Sequence, residues 1–279
     1  MALSHSGSAT SKGMPSRAVV LDGGTLLDVP IFELMATNSQ EALDPVFKRC
    51  AADRACKAAF PNLAHDLASA TARLSAHPVK TDVLDPWTEE RIVVDGNALA
   101  SAIHQLLVSH AAYQIPLLLH HAAAGRVDEV ADLIRDTSEG PATAADRRVM
   151  YWSIVCSEGW ARVDPTRTAE LGADSYYGAD MLEWAREVAF GCSLMPEGYF
   201  PAGDSDAVTS AVPVLLLNGM EDPQDPPTNV AHASVDFSQQ FHDSGAGPGS
   251  HRRATWLSAR RGGRVLRIWY RKKGRHQLR

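Results

Sequence analysis

The residues with the clearest chemical potential lie in Val212–Pro227, where Val-Pro-Val-Leu-Leu-Leu is followed by Asn-Gly-Met-Glu-Asp-Pro-Gln-Asp-Pro-Pro. The apolar run is too short for a helix of that hydrophobicity and is broken by Asn218-Gly219. It reads as a buried parallel strand, with Asp222 on a loop at its carboxyl end. That edge of an open α/β sheet is where active sites are built, and a carboxylate held there can orient a histidine base. The plainer role for Asp222 is to cap the turn before Pro223. A second fragment, Arg17 to Gly24, has the same form: a short apolar strand ending in Asp22-Gly23.

Other chemistry-bearing residues are less organised. His104, His110, His120 and His121 crowd one helical region without forming a His-Glu-x-x-His pattern, so they read as surface or satisfied core histidines. Cys50, Cys56, Cys156 and Cys192 include no Cys-x-x-Cys and have no His at ligand spacing, which argues against zinc. Four cysteines allow three connectivities, and their spacing does not choose among them. No metal or cofactor is expected.

The elements that must position Asp222 are mostly helical. Asp95 to His121, Arg126 to Ile134, Ala145 to Val155 and Ala179 to Phe190 carry apolar residues at three-four spacing. Pro116 should kink or divide the first of these. Joints rich in Gly, Pro and polar residues fall near Ser138–Ala142 and Pro196–Asp206. Trp152, Trp160, Trp184 and Phe190 are expected in the core of this helical region. A chain of 279 residues suits one domain with an insertion. It holds no apolar run of the roughly 18 residues or more that a membrane-spanning helix needs, so no span is expected.

The two strand fragments, in this order, resemble the α/β-hydrolase superfamily, and more narrowly its secreted tripeptidyl-aminopeptidase and proline-iminopeptidase-like branch, which also holds esterases. In that branch a Val-Val-Leu-Asp-Gly strand follows the nucleophile, a long helical cap intervenes, and the next strand carries the triad acid in Gly-x-x-Asp-x-x-x-Pro-Pro. Asp222 matches the acid, and Pro226 and Pro227 match the prolines; Asp225 stands where the branch has Thr. The likeness runs from about Met14 to about Phe237. It implies a partial α/β-hydrolase fold with a large all-helical lid inserted between two parallel strands. It also implies bridges Cys50–Cys56 and Cys156–Cys192, hence a secreted or periplasmic protein. The N-terminus has no apolar core of signal-peptide length.

Such a hydrolase needs a Gly-x-Ser-x-Gly elbow before the first strand, because the tight turn exposes the Ser hydroxyl beside backbone N–H donors. No strict copy occurs. The nearest is Ser4-His5-Ser6-Gly7-Ser8, which makes Ser6 the candidate nucleophile. Val155-Cys156-Ser157-Glu158-Gly159 has half the pattern, but it belongs to the expected lid. The chain therefore reads as the C-terminal part of a larger hydrolase.

Charge breaks sharply near Ser244. Before it there are 16 basic and 33 acidic residues; from Ser244 to Arg279 there are 11 basic residues and no acid. A basic tail suggests nucleic acid or an anionic surface. A shift of reading frame fits better. Moving the phase by one nucleotide across Asp243 to Val265 permits a strand, a Gly-His-Thr and a helix, which the branch shows after its acid. His251 falls beside the shifted histidine and is the candidate base, with His232 and His242 next in line.

The segments are thus 1–29, the end of the nucleophile region with a core strand; 30–210, the lid; 211–240, a core strand with the acid loop; and 241–279, a basic tail. The implied activity is that of a serine hydrolase, a carboxylesterase or aminopeptidase, with triad Ser6, His251 and Asp222. Its partner would be a small ester or short peptide, with no nucleic acid. The alternative is an inert truncated hydrolase, or a binding module with a basic tail.

Overall fold

The structure is a computed structural model that describes residues 18–24, 26, 28–86, 88–137, 149–159, 163–195, 203, 206–210, 212–231, 240–245, 257–261 and 264–268, the last three segments by their backbone alone. Strand β1 (Val19–Asp22) leads to the long helix α1 (Ile31–Ala52). Met35, Ala36, Ser39, Ala42, Leu43, Val46 and Cys50 form its buried stripe, spaced as one helix face requires. Asp53 ends α1 and caps α2 (Arg54–Ala59), its carboxylate accepting the Cys56 N–H at 2.8 Å. Helix α3 (Leu63–Ala76) follows.

Strands β2 (Val79–Leu84) and β3 (Arg91–Val94) then pair antiparallel. The expectation of an all-helical lid is corrected here. Val79, Thr81, Val83, Ile92, Val93 and Val94 are β-branched, and β3 alternates exposed and buried residues, a period of two that no helix satisfies.

Helix α4 (Gly96–Val108) is capped by Asp95, which accepts the Ala98 N–H at 2.8 Å. Beyond its end His110, at φ 60°, turns the chain so that Ala111 bonds back to the Leu106 carbonyl and His110 to that of Leu107. The single helix read over Asp95–His121 is therefore divided, but by this turn and the 3₁₀ segment Ala112–Gln114 rather than by Pro116. Pro116 sits in the first turn of α5 (Ile115–Ala123), where its missing N–H costs nothing. Helix α6 (Asp128–Thr137) and the helical residues 149–154, α7, follow, the latter continuing into a π-turn at Val155–Gly159. Next come α8 (Pro165–Gly172), capped by Asp164, and α9 (Gly178–Ser193).

Strand β4 (Val214–Gly219) is buried along almost its whole length, as a central parallel strand should be. After the short α10 (Pro227–Val230) come β5 (Gln240–Gly245), β6 (Leu257–Arg261) and β7 (Arg264–Ile268). The strand order is β1-β4-β5, all parallel, with Asp22 opposite Leu217 and Gly219 opposite Gly245. A small parallel sheet thus joins a mixed, mainly helical chain; β6 and β7 form a separate antiparallel pair. Strand β5 crosses the expected segment boundary at 240/241.

Two cores result. The larger gathers Leu43, Leu74, Leu99, Ile103, Leu107 and Leu119 from α1, α3, α4 and α5, with Val94 of β3. The smaller holds Val214, Leu216 and Val230 beside β1. The helical insertion therefore carries most of the apolar burial among the described residues. Trp184 is half-buried, stacked on Phe32 at 5.4 Å, and Trp152 is half-buried against Gly191. Phe190 departs from expectation, being 69% exposed one turn from the end of α9; Trp160 lies outside the described residues.

Both implied disulfides are present, Cys50–Cys56 and Cys156–Cys192, with Cα atoms 5.1 and 5.2 Å apart. The first staples the corner between α1 and α2, and the second ties the π-turn to α9. Such bridges belong to an oxidising compartment. Among the described residues no helix is long and apolar enough to cross a membrane.

Candidate functional site

Asp222 lies in the loop leaving the carboxyl end of β4, and it is half-buried. Its Oδ1 accepts the backbone N–H groups of Gln224 and Asp225, both at 3.0 Å. This is an Asx-type turn, suited to a stretch where Pro223 cannot donate a bond. Oδ2 takes no hydrogen bond from any described residue. The turn cap and an orienting role would therefore use different oxygens of one carboxylate.

The loop is also tied to its own strand. Asn218 Nδ2 of β4 donates to the Asp225 carbonyl at 3.0 Å, and Asn229 Nδ2 donates to Asp225 Oδ1 at 3.1 Å. Asp225, the departure from the Thr of the resembling branch, is 2% exposed and acts as the hub of these contacts.

One face of α1 braces the loop from the other side. Asn38 Nδ2 donates to the Gln224 carbonyl at 2.8 Å, and the Thr228 hydroxyl donates to Glu41 Oε2 at 2.6 Å. Arg49 forms an ion pair with Glu221, the residue before Asp222. Positions 38, 41 and 49 share a helix face because three and eight residues are close to one and two turns. Glu221 is 1% exposed, and its Oε2 is buried with no hydrogen bond among the described residues. Burial lowers the pKa of Arg49 from its ordinary value.

A cleft of about 400 Å³ opens beside the loop, lined by α4, by Ile134 of α6, by Tyr177 and by Gln224. His104 lies in its wall, 8% exposed, with Nδ1 2.7 Å from Ser39 Oγ. Its ring stacks on Tyr177, the centroids 4.4 Å apart and the planes at 9°. Burial brings its pKa down from 6.5 to about 4, so the ring is neutral at pH 7. Ser39 and His104 have the residue types of a nucleophile and its base. Ser39, however, is fully buried in the middle of α1, and so depressed a histidine is a weak base. The pair is a satisfied core histidine, as the sequence suggests for this group.

Behind this wall, Ser101 Oγ donates to Asp180 Oδ1 at 2.8 Å. Burial raises the Asp180 pKa, opposed by hydrogen bonds from Ser101 and Tyr177; burial also raises that of Tyr177. The close crossing of α8 and α9 sets Tyr177 in place. A Cβ on Gly178 would overlap the Gly172 carbonyl, and one on Gly172 would meet the Ala36 Cβ at 3.2 Å.

Ser6, His251 and the alternative base His232 lie outside the described residues. His242 falls on β5 opposite Leu216. Ser157 belongs to the π-turn, where its hydroxyl donates to the Ser153 carbonyl. His120 approaches Asp66 at 3.7 Å, and His121 pairs with Glu129 at a smaller cavity of about 100 Å³. Among the described residues no group of three His, Cys, Asp or Glu side chains is placed to hold a metal ion.

The braces on α1 escape a reading based on motifs. Their signal is a local one: Asn38 and Ser39 interrupt the apolar stripe of α1 with polar side chains that must find partners when buried. Glu221 is hidden by its neighbour, since an acidic pair on a loop ordinarily reads as solvated. No protein-family model, curated protein or solved structure matches this chain.

Proposed function

We propose that this chain is an α/β-hydrolase-type serine hydrolase, acting on a small ester or short peptide, in which Asp222 is the acid that orients the catalytic histidine. The observation that carries the reading is the Asp222 carboxylate, only one oxygen of which is bonded by described residues, on a braced loop at the carboxyl end of the central parallel strand. The ordered sequence fragments that resemble the secreted aminopeptidase and esterase branch support it, as do the two bridges in the positions that resemblance implies. A secreted or periplasmic setting follows from the same resemblance.

In this mechanism Asp222 Oδ2 accepts the Nδ1–H of an imidazole and stabilises its protonated form. The imidazole takes the Ser proton as Oγ attacks the carbonyl, then gives it to the leaving alcohol or amine. Water, activated by the same base, releases the acid from the acyl-enzyme. Ser6, in the nearest approach to the elbow pattern, and His251, beside the position of the branch's histidine, are the candidates for nucleophile and base.

Labelling the folded protein with a fluorophosphonate, followed by peptide mapping, tests the reading. Stoichiometric labelling at Ser6 supports the triad, whereas labelling at Ser157 would move the nucleophile into the helical region. Absence of labelling on folded protein contradicts the hydrolase reading and leaves Asp222 as a turn cap. With an active protein, a short p-nitrophenyl ester against an aminoacyl p-nitroanilide separates esterase from aminopeptidase.

A further inference from the structure

We propose that the cleft between α4, Tyr177 and Gln224 binds an uncharged amide or ester bearing a small apolar group; this specifies the substrate class of the hydrolase reading and rests on it. A volume of about 400 Å³ accommodates a small molecule. The cleft joins neutral hydrogen-bonding groups to an apolar wall. Gln105 and Gln224 offer amide donors and acceptors, and Ser101 keeps acceptor capacity after donating to Asp180. His104 Nδ1 is engaged by Ser39, which leaves Nε2 with one hydrogen-bonding capacity in either tautomer. Val108 and Ile134 supply the apolar surface.

Charge narrows the class. No Lys or Arg among the described residues lines the cleft, so a bound carboxylate would lose hydration without a cation to replace it. The nearest acid described behind the wall, Asp180, already receives hydrogen bonds from Ser101 and Tyr177. An ammonium would meet a carboxylate whose charge those two hydrogen bonds already offset in part, and would lose hydration to reach it. A neutral amide matches the donors and acceptors without either penalty.

The cleft also touches the acid loop. Gln224 lines the cleft while its N–H donates to Asp222 and its carbonyl accepts from Asn38. An occupant resting on Gln224 therefore lies against the segment that fixes Asp222.

The experiment titrates N-acetyl-leucinamide, an unreactive probe, into the full-length protein and follows the His104 and Tyr177 ring resonances. N-acetyl-leucine and leucinamide serve as anionic and cationic comparators. The expected result is saturable movement of both rings with the neutral amide, and binding at least about tenfold weaker for either charged probe. Gln105→Trp, which fills the cleft from α4, should abolish the shifts; Val108→Trp replaces it if that variant does not fold. Unmoved rings at amide concentrations near solubility, or equal binding of all three probes, would overturn the proposal. So would amide binding that survives in the folded Trp variant. Fluorophosphonate labelling is scored separately. Amide binding without labelling upholds the pocket and removes the hydrolase, whereas labelling without amide binding does the reverse.

Discussion

Arg49 of α1 closes an ion pair with Glu221, one residue before Asp222, and so links the helical insertion directly to the loop at the end of β4. Glu221 is almost wholly buried while the Arg49 side chain is 49% exposed, so the two partners are unequal. Removing the exposed partner strands the buried one.

Arg49→Met is therefore expected to destabilise the fold by about 2 kcal/mol, less than for a fully buried pair because about half of the Arg49 side chain already faces water. Arg49→Met combined with Glu221→Gln should recover a large part of that loss, since no uncompensated charge remains. Chemical denaturation of the single and double variants checks this; equal stability of Arg49→Met and wild type would mean that the brace does not hold the loop.

The buried histidine gives a pH dependence with a definite sign. His104 has a folded-state pKa near 4 against 6.5 when unfolded, so the unfolded chain binds more protons between these values. Its contribution is fully present above pH 6.5 and is lost as pH falls toward 4, on the order of 3 kcal/mol across that window. His104→Gln should flatten this part of the stability profile. An unchanged acid slope in that variant would assign the dependence to other groups.

The bridges should contribute unequally. Cys156–Cys192 closes 36 residues of sequence and Cys50–Cys56 only 6. In the chain-entropy account the longer loop is worth about 4 kcal/mol and the shorter about 2 kcal/mol. Paired Cys→Ser variants compared by denaturation midpoint test the order. A larger loss at Cys50–Cys56 would show that local geometry at the α1–α2 corner outweighs loop entropy.

Much of this architecture is legible in the residues, for reasons that can be named. Val214 to Leu217 reads as a buried strand because an unbroken short apolar run has no polar face to show. Helix α9 is legible from its three-four spacing. The hairpin β2–β3 is not, because its charged and β-branched residues lie among helical periodicities, and β2 is exposed along most of its length. The end of α4 is missed because the residue at φ 60° is His110 rather than the Gly that usually marks such a stop. At the candidate site, Asp222 is visible through its strand-loop-proline context, whereas its brace depends on partners more than 170 positions away in the chain, such as Asn38 with Gln224 and Arg49 with Glu221. The polar interruption of the α1 stripe at Asn38 marks that a partner is needed, but nothing local says which residue it is.

The central claim is that Asp222 orients a catalytic histidine, and Asp222→Asn tests it most directly. The Asn side-chain oxygen can still accept the Gln224 and Asp225 N–H groups, so the turn and the melting temperature should survive the change. Hydrolysis of a short p-nitrophenyl ester should nevertheless fall by roughly 10⁴-fold in kcat, the scale seen when the orienting acid of a triad is neutralised. Wild-type rates in a folded Asp222→Asn protein would contradict the account and leave Asp222 as the cap of its turn.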